Sequence, residues 1–273
     1  MAKIDKPDFS QRLKNEKILD YILQYYDGSD RETQRQMAIE TRRFASGNTA
    51  NRDAQRREQE SQTRWYDSLK NGEPDYSIYA DPVYIGEAWV CFCVYSKGYI
   101  RNLPRVIPQV NSIVDVGCGV GLTTAFLKSI FKPTWIYGTQ VKGFQHDVAT
   151  QVGKDFDFPV VESPIHWKEM GKADMVFASE YFEHFEAPVQ HLDYIVSQVD
   201  PTYVVCANAF SSKSVGHFPQ YKFPPAGSLI PTGIYATNKQ AGRVFNKAMR
   251  QRKYRKVETG FFNSRPMIWK KER

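Results

Sequence analysis

The chain has 273 residues, 41% hydrophobic and 25% charged. That is the ordinary range for a soluble globular protein and is enough for one α/β domain plus an accessory segment. No run of about 18 apolar residues occurs, and Met1 to Lys6 lacks the apolar stretch and cleavage site of a signal peptide, so no membrane span is expected and the expected compartment is the cytoplasm. The net charge of +7 is uneven, because residues 211–273 hold 14 Lys and Arg against two Asp and Glu. Such a basic quarter is either a solvated face or a surface for an acidic partner.

In chain order, Leu13, Ile18, Leu19, Ile22, Leu23 and Tyr26 recur at three- and four-residue spacings and predict an amphipathic helix over 10–26. Ser29-Asp30-Arg31-Glu32 has the form of a capping box and predicts a second helix towards Phe44. Residues 46–64 are the most polar stretch, with Arg52, Arg56, Arg57 and Arg64 among Glu and Gln. It reads as a surface helix, a linker or a partner interface. The Gly/Pro/Asp-rich passage at 71–82 is expected to divide a helical N-terminal extension, 1–80, from a main domain, 81–273.

Tyr84 to Tyr99 reads as the helix before the first strand, with Trp89, Phe92 and Tyr95 in the core. Strand-like runs follow at 112–116, 135–138, 159–161, 175–178 and 203–207, alternating with helices near 121–131, 142–153, 188–199 and 238–251. The last helix carries the stripe Ala241, Val244, Phe245, Ala248 and Met249. Residues 256–262 and 266–270 read as a hairpin closing on Asn263-Ser264-Arg265. The pattern is that of a mostly parallel sheet covered by helices and finished by an antiparallel hairpin. Cys91, Cys93, Cys118 and Cys206 show no CxxC pair and no zinc-type spacing with histidine, so four reduced thiols and no metal site are expected.

In Ile113-Val114-Asp115-Val116-Gly117-Cys118-Gly119-Val120-Gly121, a buried-strand run turns into a helix. Glycines at 117, 119 and 121 let the backbone turn sharply and come close to a ligand. Asp115 has the wrong sign to cradle a pyrophosphate, whereas a carboxylate suits an ammonium. This loop resembles the D/E-x-G-x-G-x-G first motif of class I S-adenosylmethionine (SAM)-dependent methyltransferases. The run from Ala173 to Pro188, with Glu180-Tyr181-Phe182-Glu183-His184, resembles the matching stretch of quinone-biosynthesis-type O-methyltransferases.

The resemblance covers about residues 108–210. It implies a Rossmann-like class I methyltransferase sheet with SAM as cofactor, held by Asp115, Gly117, Cys118, Gly119, Gly121, Gln140, Glu162 and Ser179. Gln140 departs from the pattern, since it stands where the family usually has an acidic residue for the ribose hydroxyls; a neutral amide accepts more weakly than a carboxylate. Glu162 and Ser163 fall where the adenine amino group is usually recognised, or are plain loop residues.

Methyl transfer is an in-line displacement, so holding the acceptor against the methyl carbon supplies most of the catalysis, and a base is needed only if the acceptor must lose a proton. The acceptor should meet residues beyond strands four and five. There Glu180 is a candidate to orient it, and His184 either assists or packs. The long segment from Phe210 to Ala236 contains Gly216-His217-Phe218-Pro219. His217 is the candidate base, or else a loop histidine bonded to backbone.

Exocyclic-amine methylases carry an N/D/S-P-P-Y/F motif at strand four and cytosine C5 enzymes a Pro-Cys, and this chain has Ala178-Ser179-Glu180-Tyr181. A small-molecule acceptor of O or N type is therefore the leading expectation. A nucleic-acid-directed enzyme docking through 239–256, with Tyr254 stacking among the cations, is the second. A catalytically silent SAM-fold binding protein using the Arg-rich segment 46–64 is the third.

Overall fold

The computed structural model describes residues 5–9, 15–25, 35, 39, 52–80, 84, 88–163, 171–212, 214–223, 236–259 and 266–272. The expected helix over 29–44, all but residues 35 and 39, lies outside this set, as do the turn 263–265 and the side chain of Tyr95. The helices are α1 (Asn15–Leu23), α2 (Arg52–Lys70), α3 (Lys97–Asn102), α4 (Leu122–Phe131), α5 (Phe144–Phe156), α6 (Pro188–Val199) and α7 (Asn238–Gln251). The strands are β1 (Ser112–Val116), β2 (Trp135–Gln140), β3 (Val160–Glu162), β4 (Met175–Ser179), β5 (Tyr203–Ala207), β6 (Gln220–Tyr221), β7 (Ala236–Thr237), β8 (Tyr254–Lys256) and β9 (Met267–Lys271).

Seven strands form one sheet in the order β3-β2-β1-β4-β5-β9-β8. The first five are mutually parallel, and β9 runs antiparallel to both β5 and β8. This is the expected Rossmann-like class I methyltransferase sheet. Its chain order reverses between β1 and β4, which opens a crevice at their C-terminal ends.

All five residues of β1 are buried because the strand is central and helices cover both faces. Alternation sends Ile113, Met175, Phe177 and Val205 to one face with Phe126, Val148 and Val152 of α4 and α5. Val114, Val176, Ala178 and Val204 face the other way, against Leu192 and Ile195 of α6 and Phe245 and Met249 of α7. The helix α7 begins at the capping box of Thr237 and Gln240 and buries Ala241, Phe245, Ala248 and Met249, as its stripe predicts.

The N-terminal helices dock on opposite faces. Ile18, Leu19 and Ile22 of α1 are buried in the first layer, worth about 1.5–3 kcal/mol each at most. Phe9 packs on Phe126 and Phe156 with ring centroids 5.6 and 5.1 Å apart, and Tyr21 donates to Asp155 of α5 at 3.0 Å. The other helix, α2, buries Trp65 in the second layer. The polar stretch is thus helical from Arg52, with an exposed face and an anchored C-terminal end.

Three expectations are corrected. The C-terminal hairpin starts at Tyr254, two residues before the expected strand, because that side chain is buried and its hydroxyl donates to the Pro201 carbonyl at 2.7 Å. The same burial, 1% exposed, removes Tyr254 as a stacking platform for nucleic acid, and Arg252 is engaged by Asp193. Finally, the long segment after β5 is not wholly irregular, since β6 and β7 pair within it.

Candidate active site

The glycine loop leaves the C-terminal end of β1, where Asp115 is 1% exposed and accepts a hydrogen bond from the Thr124 hydroxyl at 2.7 Å. Burial pushes the Asp115 carboxyl up to about 7, the Thr124 bond opposing it. Gly117 has φ +65°, and a Cβ there would lie 2.3 Å from the Tyr181 ring. Among the described residues nothing lies within 4 Å of a Cβ at Gly119, so this part of the loop borders open space. Gly121 lets α4 start against the backbone of Ala149 in α5, 3.2 Å from a Cβ position. Cys118 is buried and its sulfur packs over Gly138, while its amide donates to the Thr139 carbonyl at 2.9 Å. Its carbonyl accepts the Gly121 amide at 3.0 Å, so only a second lone pair on that oxygen is left for a ligand.

Gln140 ends β2 opposite Glu162 of β3. Its amide nitrogen donates to Gln145 at 3.0 Å, and its carbonyl oxygen accepts the Val141 amide at 2.9 Å. The side chain is therefore held in one orientation by its own loop. Ser163, just beyond Glu162, donates its amide to the Gln140 carbonyl at 3.0 Å. Ser179 ends β4, its hydroxyl 3.4 Å from that of Ser96 in the π-helical turn Cys91–Ser96.

After β4 the chain turns through Glu180, a non-glycine residue at φ +48° whose amide donates to the Ala207 carbonyl at 2.8 Å. Left-handed backbone at a bulky residue costs of order 1–3 kcal/mol and persists only where the surroundings enforce it. The turn drives Tyr181 back over Gly117. Its hydroxyl sits 2.7 Å from His191 Nε2 of α6 and also meets the Ser163 hydroxyl. The His191 ring stacks on Phe185 with centroids 3.7 Å apart, and burial pushes it down to about 4.

The short helical turn Phe182–His184 then brings two more groups inward. Glu183 is fully buried and accepts the Ala209 amide through Oε1 at 2.6 Å. Burial raises its carboxyl well above the usual range, and the adjoining Glu180 carboxyl adds to the effect. His184 Nδ1 and the Tyr79 hydroxyl share a hydrogen bond at 3.0 Å, and the ring also meets the backbone of Gly216 and Glu180. Burial, then the neighbouring His217, pushes it down to about 3, so the ring is neutral.

His217 is 5% exposed, with its ring centroid 5.0 Å from that of His184 at an interplanar angle of 88°. Its Nδ1 lies 3.1 Å from the Ser212 carbonyl, an acceptor only, so Nδ1 carries the proton and Nε2 the lone pair. Trp65 of α2 anchors this loop by donating Nε1 to the His217 carbonyl at 2.8 Å. At Gly216, φ +80°, a Cβ would lie 1.7 Å from the Tyr79 hydroxyl and 2.4 Å from His184 Nδ1, so only glycine lets the two histidine segments meet.

Glu180, His184 and His217 thus converge beyond β4 and β5, while Asp115 and the glycines stand beyond β1. Sequence reasoning passed over Tyr181, Glu183, Tyr79 and Trp65. Glu183 had a visible signal, a second carboxyl three residues after Glu180; the others are brought in by the fold alone.

No protein-family model matches the chain, and no curated protein matches its sequence. Among solved structures it is similar to magnesium protoporphyrin IX methyltransferase from Synechocystis PCC 6803 with bound SAH, at 16% identity over 69% of this chain and 88% of that one, TM-score 0.46. It is also similar to the N-methyltransferase NodS from Bradyrhizobium japonicum WM9 in complex with S-adenosyl-L-homocysteine, at 13% identity over 64% and 85% of the two chains, TM-score 0.44. A third is the pyocyanin biosynthetic protein PhzM, at 12% identity over 78% and 68%, TM-score 0.45. Likenesses this distant carry no argument about this chain; its fold is read from the strand order and the loop after β1.

Proposed function

We propose that the chain is a SAM-dependent methyltransferase acting on an O or N acceptor, most simply a small molecule. The observation that carries this reading is the glycine loop at the β1/β4 crevice, open at Gly119 and backed by the buried carboxyl of Asp115, which has the Thr124 hydroxyl but no cation beside it among the described residues. A cofactor ammonium supplies the counter-charge that a buried carboxylate needs. In this reading Asp115, Gly117, Gly119, Gly121, the Cys118 backbone and Ser179 hold the methionyl end, and Gln140 and Glu162 the ribose and adenine. SAM, when bound there, would supply the activated methyl group, and His217 Nε2 would take the proton that an acceptor loses as it is methylated.

The second part of the extension, α2 and the residues up to 80, caps the acceptor side in this reading, while α1 packs on the other face. Support comes from Trp65 and Tyr79, which hold the His217 loop and the His184 ring. Calorimetry with S-adenosylhomocysteine tests the cofactor, and a null titration would favour the silent binding protein instead. Incubating metabolite pools with methyl-labelled SAM, followed by mass spectrometry, tests the acceptor.

A further inference from the structure

We propose that Tyr181 and His191 are positioning residues that set the hydrogen-bond polarity of Ser163, so that the pocket beyond β3 takes a purine with an exocyclic amino group and disfavours a 6-oxo purine. The proposal rests on the methyltransferase reading, because that reading places the cofactor's base beside the ends of β2 and β3. The three side chains come from separate segments: Ser163 directly follows β3, Tyr181 lies in the turn after β4, and His191 belongs to α6. Their hydroxyls and ring nitrogen nonetheless meet, with Tyr181 Oη 2.7 Å from His191 Nε2 and in contact with the Ser163 hydroxyl.

The direction of these bonds follows from the groups. A separation of 2.7 Å suits an O–H donor, since N–H donors favour about 2.9–3.0 Å. A phenol is also the better donor and an unprotonated imidazole nitrogen the better acceptor, and burial holds the His191 ring neutral. Tyr181 therefore donates to His191. Its one hydroxyl proton is then spent, so towards Ser163 the phenol oxygen only accepts, and the serine hydroxyl donates to it. Having used its own proton, Ser163 Oγ offers lone pairs alone. An amino group beside it can donate, whereas a 6-oxo group would set oxygen against oxygen and leave both unsatisfied.

Each member is held by a second contact. The Ser163 amide donates to the Gln140 carbonyl at 3.0 Å, which fixes the residue against the end of β2. The Tyr181 ring lies on Gly117, where a Cβ would be 2.3 Å from it, and the His191 ring stacks on Phe185 at an interplanar angle of 13°. The polarity of Ser163 is thus set by the fold before any ligand arrives.

Calorimetry of the full-length protein with S-adenosylhomocysteine and with S-inosylhomocysteine, its 6-oxo counterpart, tests the relay. The wild type is expected to favour the amino form at least about tenfold. Tyr181→Phe keeps the ring over Gly117 and returns the proton to Ser163, which can then donate to a 6-oxo group. His191→Phe keeps the stack and lets the Tyr181 hydroxyl turn its proton towards Ser163, with the same consequence. In both variants the preference should shrink by about threefold or more. Ser163→Ala, at a half-buried position, should shrink it by weakening S-adenosylhomocysteine alone. A merely structural role would weaken both ligands alike. Melting curves on the same samples identify the folded variants, and an unaltered ratio in these overturns the relay, as does a wild type that binds the two ligands equally. A wild type that binds neither removes the methyltransferase reading and the relay with it.

Discussion

At the scale of single residues, burial decides the chemistry. Asp115 is buried with one hydroxyl donor, so its folded-state carboxyl is raised to about 7 from an ordinary value near 3.8. The folded chain then binds more protons than the unfolded one between these values, and stability falls as pH rises through that window. Asp115→Asn keeps an acceptor for Thr124 and removes the charge. It should raise the melting temperature of the ligand-free protein at pH 8 while weakening S-adenosylhomocysteine binding, and a variant with unchanged affinity would show the cofactor loop to be misplaced. In the wild type the affinity should increase as pH climbs through about 7, with a proton released on binding.

His191 behaves in the opposite sense. Its folded value, about 4, lies below the ordinary 6.5, so the unfolded chain binds the extra proton and stability is lost as pH falls through that interval. His191→Phe retains the stack on Phe185. Thermal melts of this variant should show a shallower acid limb between about pH 6.5 and 4, the rest of it belonging to His184; an unchanged slope would remove His191 from that limb.

At the scale of elements, the site depends on how short segments are pressed together. Gly117→Ala forces a Cβ into the Tyr181 ring and into a left-handed conformation, at a cost of about 1–3 kcal/mol. Pairing it with Tyr181→Ala should recover part of that loss in a double-mutant cycle. Purely additive costs would mean that the two residues do not touch. Trp65→Phe keeps the buried ring and deletes only the bond from α2 to the His217 carbonyl. A loss near 1 kcal/mol in denaturant titrations is expected. Turnover should fall at saturating SAM with cofactor affinity unaltered, since α2 meets the acceptor side and not the glycine loop; an equal change in cofactor affinity would contradict that placement.

At the scale of the whole molecule, basic charge and basic function separate. The excess of positive charge lies in the C-terminal quarter, yet Arg252 and Lys271 are tied to Asp193 and Asp200, and Tyr254 is inside the core. No helix among the described residues is long and apolar enough to cross a membrane. Turnover of a small acceptor should change little between about 50 and about 200 mM salt, whereas a nucleic-acid substrate would show a loss of several orders of magnitude.

The sheet was legible in the sequence because parallel inner strands such as Tyr203–Ala207 are continuous apolar runs, and because α6 and α7 carry clean helical periodicity. The cofactor loop was legible for a related reason: close backbone approach demands small residues at fixed offsets within one short segment. The acceptor side was not, because Tyr79, Glu183, His184 and His217 lie up to 138 residues apart, and no local spacing records that Gly216 lets them meet. By itself, then, the sequence determined the alternating sheet, the glycine loop and Asp115. Only the tertiary structure decided that Tyr181 closes over that loop, that Glu183 shares a buried pocket with Glu180, and that Tyr254 serves the core, since burial and like-charge contact arise only once distant segments pack.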